Sequence, residues 1–330
     1  MSIEILIFGA GAIGAFYGSR LAFNNDVNVS VICRSNYNAV KSNGFSVESP
    51  QYGDYKWMPT RTFSKPTEAQ KAGVNWDYVV VSTKALPDVN DDSELLQGLI
   101  SKGTAIVLIQ NGLGVEEPYM KRFPEAIVLS AVTICSAAQP NHGHIKHNRW
   151  TRINSGPYPE NSAEATRRNE LFNNYLVKGG VKDASAYSAE KMQLLRWHKI
   201  AINAAMNPSS VLSGGTDNAS MALDPDMYAH LKGVMEEIFE VAPKVTGKPF
   251  PKDFATAEQI LNSTKKNPSG SKPSMQIDWA EGKKMELEVI LGNPIRLARE
   301  KGYEMPRLHS MYALLKAAQR NREENSKPKL

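Results

Sequence analysis

A glycine-rich turn near the start of the chain constrains its fold more than any other feature. The apolar run 3–8 leads directly into Gly9-Ala10-Gly11-Ala12-Ile13-Gly14, and apolar residues at helical spacing follow. This order predicts a strand, a tight turn and a helix. The first glycine allows the turn, the second leaves room for a pyrophosphate, and the third lets helix and strand pack closely. The turn therefore predicts a dinucleotide site, the alternative being a glycine-rich turn without a ligand.

The first half of the chain alternates between predicted strands and helices. After the glycine turn, apolar runs predict strands at 27–33, 76–83, 104–110 and 126–135, and the polar segment 91–100 predicts a helix. Such alternation is typical of an α/β fold with a Rossmann-type doubly wound parallel sheet. Residues 139–158 are richer in Pro, Asn, His and Gly, and 144–147 predicts a strand at an antiparallel edge.

The second half is predicted to be helical. We expect helices at 188–206, 226–246, 253–261 and 274–319, the first ended by Asn207-Pro208 and the last interrupted at Gly282 and at Gly292-Asn293-Pro294. These patterns predict a dinucleotide-binding Rossmann domain over 1–184 and an all-α catalytic domain over 185–330. Apolar residues on the final helices could serve a homodimer.

Composition narrows the class of protein. A hydrophobic content of 42% and a charged content of 22% are typical of globular proteins, and no apolar run is long enough to span a membrane. The first residues form a predicted core strand and lack a signal-peptide pattern, so we expect a cytoplasmic location. Cys33 and Cys135 lie in apolar runs, which favours buried free thiols. The net charge of +5 comes from scattered Lys and Arg, and an anionic small molecule accounts for it as well as nucleic acid does. We expect a small-molecule partner and neither nucleic acid nor a membrane.

The end of the second strand indicates which dinucleotide binds. In NAD-binding sheets an acidic residue there holds the ribose hydroxyls, but this strand ends Val31-Ile32-Cys33-Arg34 without an acid. The guanidinium of Arg34 matches a 2′-phosphate in charge and shape, which predicts NADP(H) as the cofactor. Lys84, after the third predicted strand, is a second candidate contact, and an idle surface lysine is the alternative.

A polar stripe marks the helix at 188–206. Lys199, Asn203 and Asn207 drift by only ~40° per step of four residues, so they share one face of the helix. Lysine or glutamate would usually be preferred over two asparagines on a solvated face. The stripe therefore predicts a site that stabilises a substrate oxygen. His198 lies off the stripe, and we interpret it as structural. We assign no metal ligand.

Taken together, these motifs resemble the ketopantoate reductase (2-dehydropantoate 2-reductase) family. The resemblance covers residues 1 to about 318. Two further motifs carry it, Asn111-Gly112-Leu113-Gly114 and Ser274-Met275-Gln276-Ile277-Asp278. Glu286 follows Ser274 by twelve residues. It implies a Rossmann domain, a helical domain and a cleft between them. It also implies NADPH-dependent reduction of the 2-keto group of ketopantoate to pantoate, on the route to pantothenate and coenzyme A.

The resemblance also implies roles for individual residues. Lys199 matches the general acid, and Glu286 matches the acid that holds the substrate hydroxyl. Asn203, Asn207 and Ser274 match substrate contacts, and Asn111 matches a contact near the nicotinamide. From the residues alone, Ser274 could equally be a helix N-cap and Glu286 a first-turn acid.

Some segments depart from the family pattern. The stretch 147–158 is more polar and aromatic, the loops at 49–62 and 157–165 are long, and only Asn218 offers a match to a further asparagine. Two alternatives therefore stay open: a paralogous reductase of another 2-keto acid or larger ketone, and a non-catalytic NADP-binding sensor.

Overall fold

The computed structural model describes residues 2–267 and 269–325 of the 330-residue chain. The chain divides into two compact units. The first comprises Met1–Lys84, Asp91–Gln110 and Val115–Met192, and the second comprises Ala85–Asn90, Asn111–Gly114 and Gln193–Leu330. Two short segments that follow strands of the first unit thus belong to the second. The domain boundary near residue 184 stays a prediction, and these units divide the chain further on, after Met192.

Within the described residues the first unit contains one ten-stranded sheet. Its strands are β1 (Ile3–Phe8), β2 (Val27–Ile32), β3 (Phe45–Glu48), β4 (Tyr55–Trp57), β5 (Thr62–Phe63), β6 (Tyr78–Val81), β7 (Ala105–Leu108), β8 (Ile127–Asn141), β9 (His144–Tyr158) and β10 (Ala184–Ala186). The strands β5-β2-β1-β6-β7-β8 lie side by side and parallel. This is the order of a doubly wound dinucleotide-binding sheet, reversing between β1 and β6, and it confirms the predicted fold class.

Side chains on both faces of the sheet are buried. Ile5 and Ile7 of β1 pack with Phe16 on one face, whereas Leu6 and Phe8 belong to a second apolar cluster. Because alternate residues of a strand point to opposite faces, an unbroken apolar run is what a sheet covered on both sides requires.

Helices make up the rest of the described fold. They are α1 (Ala12–Leu21), α2 (Tyr37–Asn43), α3 (Pro66–Lys71), α4 (Glu117–Arg122), α5 (Ala163–Lys178), α6 (Ala189–Leu212), α7 (Asn218–Leu223), α8 (Pro225–Thr246), α9 (Ala257–Lys265), α10 (Ser274–Ala280), α11 (Asn293–Glu300) and α12 (Pro306–Asn325). A 3-10 turn covers Glu94–Leu96 and a π-helical turn covers Glu288–Gly292. The second unit is helical, as predicted, and no helix of the described residues combines the length and apolarity needed to cross a bilayer.

The predicted helix at 91–100 is wrong, because only the 3-10 turn Glu94–Leu96 forms there. Asp91 accepts hydrogen bonds from the main-chain N–H and the hydroxyl of Ser93, at 2.9 and 2.6 Å. Such local side-chain bonds compete with the helical pattern. Gly98, with a φ of +77°, then turns the chain away.

The predicted antiparallel edge at 144–147 is also corrected. These residues begin the fifteen-residue strand β9, which pairs antiparallel with β8 and parallel with β3. The strand is therefore internal to the sheet. Cys33 is buried and Cys135 half-buried, both as free thiols.

Pro208 does not end its helix, contrary to our prediction, because α6 continues through it to Leu212. Proline in a helix interior removes one hydrogen bond and costs ~3 kcal/mol. Burial on both sides of Pro208 outweighs this cost, since Ala204, Ala205 and Val211 are each less than 9% exposed. Tertiary packing overrides the local preference.

The predicted long helix at 274–319 is interrupted at Gly282, as expected, but not at Gly292-Asn293-Pro294. There the π-helical turn runs directly into α11, since Gly292 and Asn293 both have right-handed helical backbone angles. Pro294 lies in the first turn of α11, and the π-helical turn precedes it without a break. The second interruption lies instead between Glu300 and Pro306.

Candidate functional site

The glycine turn of the first unit shows three different steric environments. Gly9 has a φ of +99°, and a Cβ there would lie 2.8 Å from the Thr83 nitrogen. A Cβ on Gly14 would lie 2.4 Å from the Gly9 oxygen, whereas a Cβ on Gly11 would meet nothing within 4 Å. The first glycine thus makes the turn, the third brings α1 against β1, and the second leaves open space over the main chain.

Side chains that the sequence patterns did not reveal hold this turn in place. Asn36 donates from Nδ2 to the Ala10 oxygen at 2.8 Å and to Oε1 of Gln139 at 3.1 Å. Ser82 donates from its hydroxyl to the Gly9 oxygen at 2.7 Å. Asn36 follows β2 and Ser82 follows β6, so a polar residue just after a parallel strand was the signal that could have identified them.

The predicted dinucleotide residues fit an anionic ligand. Helix α1 begins after Gly11, and no side chain among the described residues caps it, so its first N–H groups remain available to an anion. Arg34 is exposed just beyond β2, and its guanidinium has no partner among residues 2–267 and 269–325. Lys84 is exposed beyond β6. A dinucleotide bearing a ribose phosphate is therefore compatible with these residues.

In the second unit, Lys199, Asn203 and Asn207 follow one another along α6, Lys199 being half-buried and both asparagines buried. Burial lowers the pKa of Lys199 from 10.5 to about 8. Nδ2 of Asn207 is buried and bonds to no described residue. A buried amide without a partner is costly, so this stripe is suited to a polar ligand.

Hydrogen bonds near the middle of α6 involve segments that carry residues expected around the keto group of the substrate. Arg196, one turn before Lys199, donates from Nη1 to the Gly112 oxygen at 2.9 Å. Leu113 donates its N–H to the Val289 oxygen at 2.9 Å. The segment that carries Asn111 is thus bonded to α6 one turn before Lys199 and to the π-helical turn that follows Glu286.

Glu286 is buried, and its Oε1 accepts the Ala85 N–H at 3.1 Å. Glu286 lies directly before the helical residue Leu287, and its main-chain oxygen accepts the Ile290 N–H at 3.2 Å, so the alternative of an acid at a helix N-terminus stays open. The bond to Ala85 fixes the position of a carboxyl group that the sequence identified only through the resemblance.

The far end of α6 approaches the predicted carboxylate contact. The Gly215 N–H donates to the Ser210 oxygen at 2.7 Å, and a Cβ on Gly215 would lie 2.8 Å from Nε2 of Gln276. Ser274 begins α10, two residues before Gln276, and is exposed. The N-cap of α10 is Pro273, so Ser274 does not have the N-cap role that was the alternative for it.

Two further residues have structural contacts. Asn218 donates from Nδ2 to the Ser271 oxygen at 2.9 Å, which ties α7 to the segment before α10. The ring of His198 stacks on Phe239, and its Nε2 lies 2.8 Å from the Ala255 oxygen. Burial lowers the pKa of His198, as expected for a neutral structural histidine.

Comparison with known families decides the class of the protein. The family described as "Ketopantoate reductase PanE/ApbA" matches residues 5–160, and "Ketopantoate reductase PanE/ApbA C terminal" matches residues 191–319. The chain belongs to the ketopantoate reductase family. This is a family of oxidoreductases that act on a small keto compound.

Similar proteins support this assignment along the whole chain. A 2-dehydropantoate 2-reductase from Methylococcus capsulatus is 33% identical, with a TM-score of 0.85 and coverage of 98% of each chain. An uncharacterized protein of Saccharomyces cerevisiae is 30% identical over 94% of this chain and 92% of its own. A 2-dehydropantoate 2-reductase from a Nostoc species is 27% identical over 94% of this chain and 93% of its own.

Within the family, the second unit provides what carbonyl reduction requires of a protein. It holds an ammonium whose pKa burial lowers to about 8, two amides on the same helix, and a buried carboxyl group that accepts a main-chain N–H. Such groups can stabilise a developing alkoxide, transfer a proton and orient a polar substrate.

Proposed function

We propose that this protein reduces the 2-keto group of ketopantoate to give pantoate, with NADPH as the reductant and Lys199 as the general acid. When bound, NADPH supplies the hydride that adds to the keto carbon. The observation that carries the proposal is the half-buried ammonium of Lys199, whose pKa of about 8 leaves it protonated yet easily deprotonated near neutral pH.

Lys199 acts on the keto oxygen in this proposal. Its ammonium stabilises the negative charge that develops there and donates a proton as the alcohol forms. The lysine then recovers a proton from solvent. Since only desolvation perturbs its pKa, a ligand oxygen can become its principal partner.

The neighbouring residues orient the substrate. The Ala85 N–H holds Oε1 of Glu286, and in this proposal the buried carboxyl group of Glu286 contacts a substrate hydroxyl. Asn203 and Asn207 contribute amides along α6, and Ser274 contributes an exposed hydroxyl suited to the substrate carboxylate. Lys199 and Asn203, like Asn203 and Asn207, are about 6 Å apart along the helix axis, at 1.5 Å per residue, so a small keto acid can contact neighbouring members of the stripe at the same time.

NADPH, in preference to NADH, is supported by Arg34. Its side chain lies after β2 without a partner among the described residues, and no acidic residue follows that strand to repel a phosphate. A guanidinium forms strong, charge-assisted hydrogen bonds with a phosphate. Gly9, Ala10, Gly11, Ala12, Ile13 and Gly14 contact the pyrophosphate in this proposal, with Lys84 as a further contact and Asn111 near the nicotinamide.

The experiment follows NADPH absorbance with purified protein and ketopantoate, beside pyruvate, 2-ketoisovalerate and bulkier keto acids. Rapid oxidation with ketopantoate alone is the expected result, and Lys199→Ala protein is the matched control for non-enzymatic oxidation. Faster oxidation with another keto acid would identify a paralogous reductase and overturn the substrate assignment. Tight NADPH binding without oxidation of any substrate would indicate the sensor.

A further inference from the structure

Both main-chain groups of one residue bind the segment Asn111–Gly114 to the π-helical turn and to the first residue of α11. Leu113 donates its N–H to the Val289 oxygen at 2.9 Å, and its carbonyl oxygen accepts from Nδ2 of Asn293 at 2.6 Å. The side chain of Asn111 itself bonds to nothing within the part of the chain that the structure describes. The two hydrogen bonds of Leu113 therefore hold the main chain next to Asn111, whereas the Asn111 amide has no partner among the described residues.

Close packing reinforces these bonds. Gly112 has a φ of +104°, and a Cβ there would lie 2.3 Å from Cβ of Val289. A Cβ on Gly114 would lie 3.1 Å from Nδ2 of Asn293. Only glycine at 112 lets the segment approach the π-helical turn this closely.

The π-helical turn is itself anchored by a buried carboxylate. Glu288 accepts from the Tyr312 hydroxyl at 2.5 Å, from Nζ of Lys316 at 3.2 Å and from Nη1 of Arg296 at 2.8 Å. Burial raises the pKa of Glu288, but these hydrogen bonds outweigh burial and hold the pKa below 4.5. Arg296 also donates from Nη2 to Oδ1 of Asn293, which orients the amide toward Leu113.

We propose that Glu288, Arg296 and Asn293 form a positioning device for Asn111, which fixes the Asn111 amide for contact with the nicotinamide end of the dinucleotide. This inference rests on the proposed function. Inserting one residue into a helix makes a π-turn and displaces the residues after it, and such turns occur frequently at functional sites. Here the turn lies between Glu286 and Asn293, so one element holds the substrate acid and the cofactor contact together.

The first test measures hydrogen exchange at the Leu113 N–H in the protein without ligands. Asn293→Leu keeps the approximate shape but removes the donor, and Asn293→Asp keeps the acceptor for Arg296 while removing the same donor. Exchange should accelerate in both variants. Unchanged protection would overturn the proposal, whatever reaction the protein catalyses.

The second test measures binding without catalysis. NADPH should bind Asn293→Leu roughly 3- to 10-fold more weakly, the value of one hydrogen bond, whereas 2′-phospho-ADP-ribose, which lacks the nicotinamide, should bind equally well. Equal losses for both ligands, or none for either, would overturn the positioning role. This readout stays decisive even if no keto acid is reduced, so failure of the proposed function is distinguishable.

The third test uses a double-mutant cycle with a structural control. Asn293→Leu should lower kcat on the order of 10-fold with little change in KM for the keto acid, but only slightly in an Asn111→Ala background. Glu237→Leu removes two main-chain hydrogen bonds, to the N–H groups of Arg307 and Leu308, elsewhere in the same unit. It should lower stability and leave kcat unchanged. Additive losses in the cycle, or an equal loss of kcat in Glu237→Leu, would overturn the proposal.

Discussion

In the first unit the polar groups around the glycine turn are bonded to one another, whereas in the second unit the side chains of Lys199, Asn203 and Asn207 on α6 have no hydrogen-bond partner among the described residues. The Ala10 oxygen accepts from Asn36, and the Gly9 oxygen accepts from Ser82. Nδ2 of Asn207 is buried without a partner, and Lys199 is desolvated. In the first unit, hydrogen bonds already hold the main chain in the shape of the turn. In the second unit, these side chains remain available to a substrate.

This contrast indicates how each unit responds to substitution. A site made from main-chain N–H groups and one guanidinium recognises a ligand by shape and charge, so changes there should act on binding. A site made from a desolvated ammonium acts on a developing charge, so changes there should act on turnover. Substitutions in each unit can therefore test the contrast directly.

The largest effect is expected from Lys199→Ala. Loss of the proton donor should lower kcat on the order of 10² or more while leaving the affinity for NADPH nearly unchanged. Steady-state kinetics and NADPH titration by fluorescence measure the two quantities separately. Lys191→Ala is the matched control, because Lys191 lies on the same helix with its ammonium 4.3 Å from the Tyr187 ring centre.

The pH dependence sharpens the same prediction. Lys199 is protonated below its pKa of about 8, so wild-type kcat should be constant at lower pH and fall as pH rises through that value. The residual activity of Lys199→Ala should lack this alkaline decline. If Lys199→Ala keeps the wild-type kcat, or if its kcat still declines at alkaline pH, Lys199 is not the general acid. The proposed difference between the two units would then be wrong.

A smaller effect, confined to binding, is expected from Arg34→Asp. Loss of a charge-assisted contact and gain of a repulsive carboxylate should weaken NADPH binding roughly 10- to 100-fold and NADH binding much less. Dissociation constants for both cofactors measure the effect, and kcat at saturating cofactor should change little. Lys71→Asp, at the exposed last turn of α3, changes the net charge equally and should affect neither cofactor. Equal losses for NADPH and NADH would refute the 2′-phosphate assignment.

The same contrast explains which features the sequence could predict. The glycine turn was predictable because its main-chain geometry admits few residue types, as Gly9 and Gly14 show by their close contacts. The sheet was predictable because strands buried on both faces require unbroken apolar runs. The fold class and the family follow from these features and from the spacing on α6.

Other features depend on contacts between residues distant in sequence. Pro208 normally ends a helix, but burial carries α6 through it. Asn36 and Asn293 looked like ordinary polar residues until the structure placed their amides on main-chain oxygens. Burial lowers the pKa of Lys199. Helical spacing predicts which face of α6 carries Lys199, but it does not predict how deeply that face is buried. Local patterns thus predict elements, whereas tertiary contacts determine the environment of each group.

The smallest predicted effect is a gain where the others are losses, and it concerns the free energy of unfolding. Burial lowers the pKa of Lys199 from 10.5 to about 8, so between these values the unfolded chain holds a proton that the folded chain has released. Stability should therefore rise with pH across this window, and the cost of the buried charge is fully present below it. Because the side chain is half-buried, Lys199→Met should stabilise the protein at pH 7 by about 1–2 kcal/mol, with the gain shrinking towards pH 10.5. Urea unfolding at several pH values measures the difference, with Lys191→Met as control. If Lys199→Met is less stable than the wild type, or if its gain in stability does not depend on pH, burial does not make the Lys199 ammonium costly. The second unit would then lack the desolvated group that distinguishes it from the first.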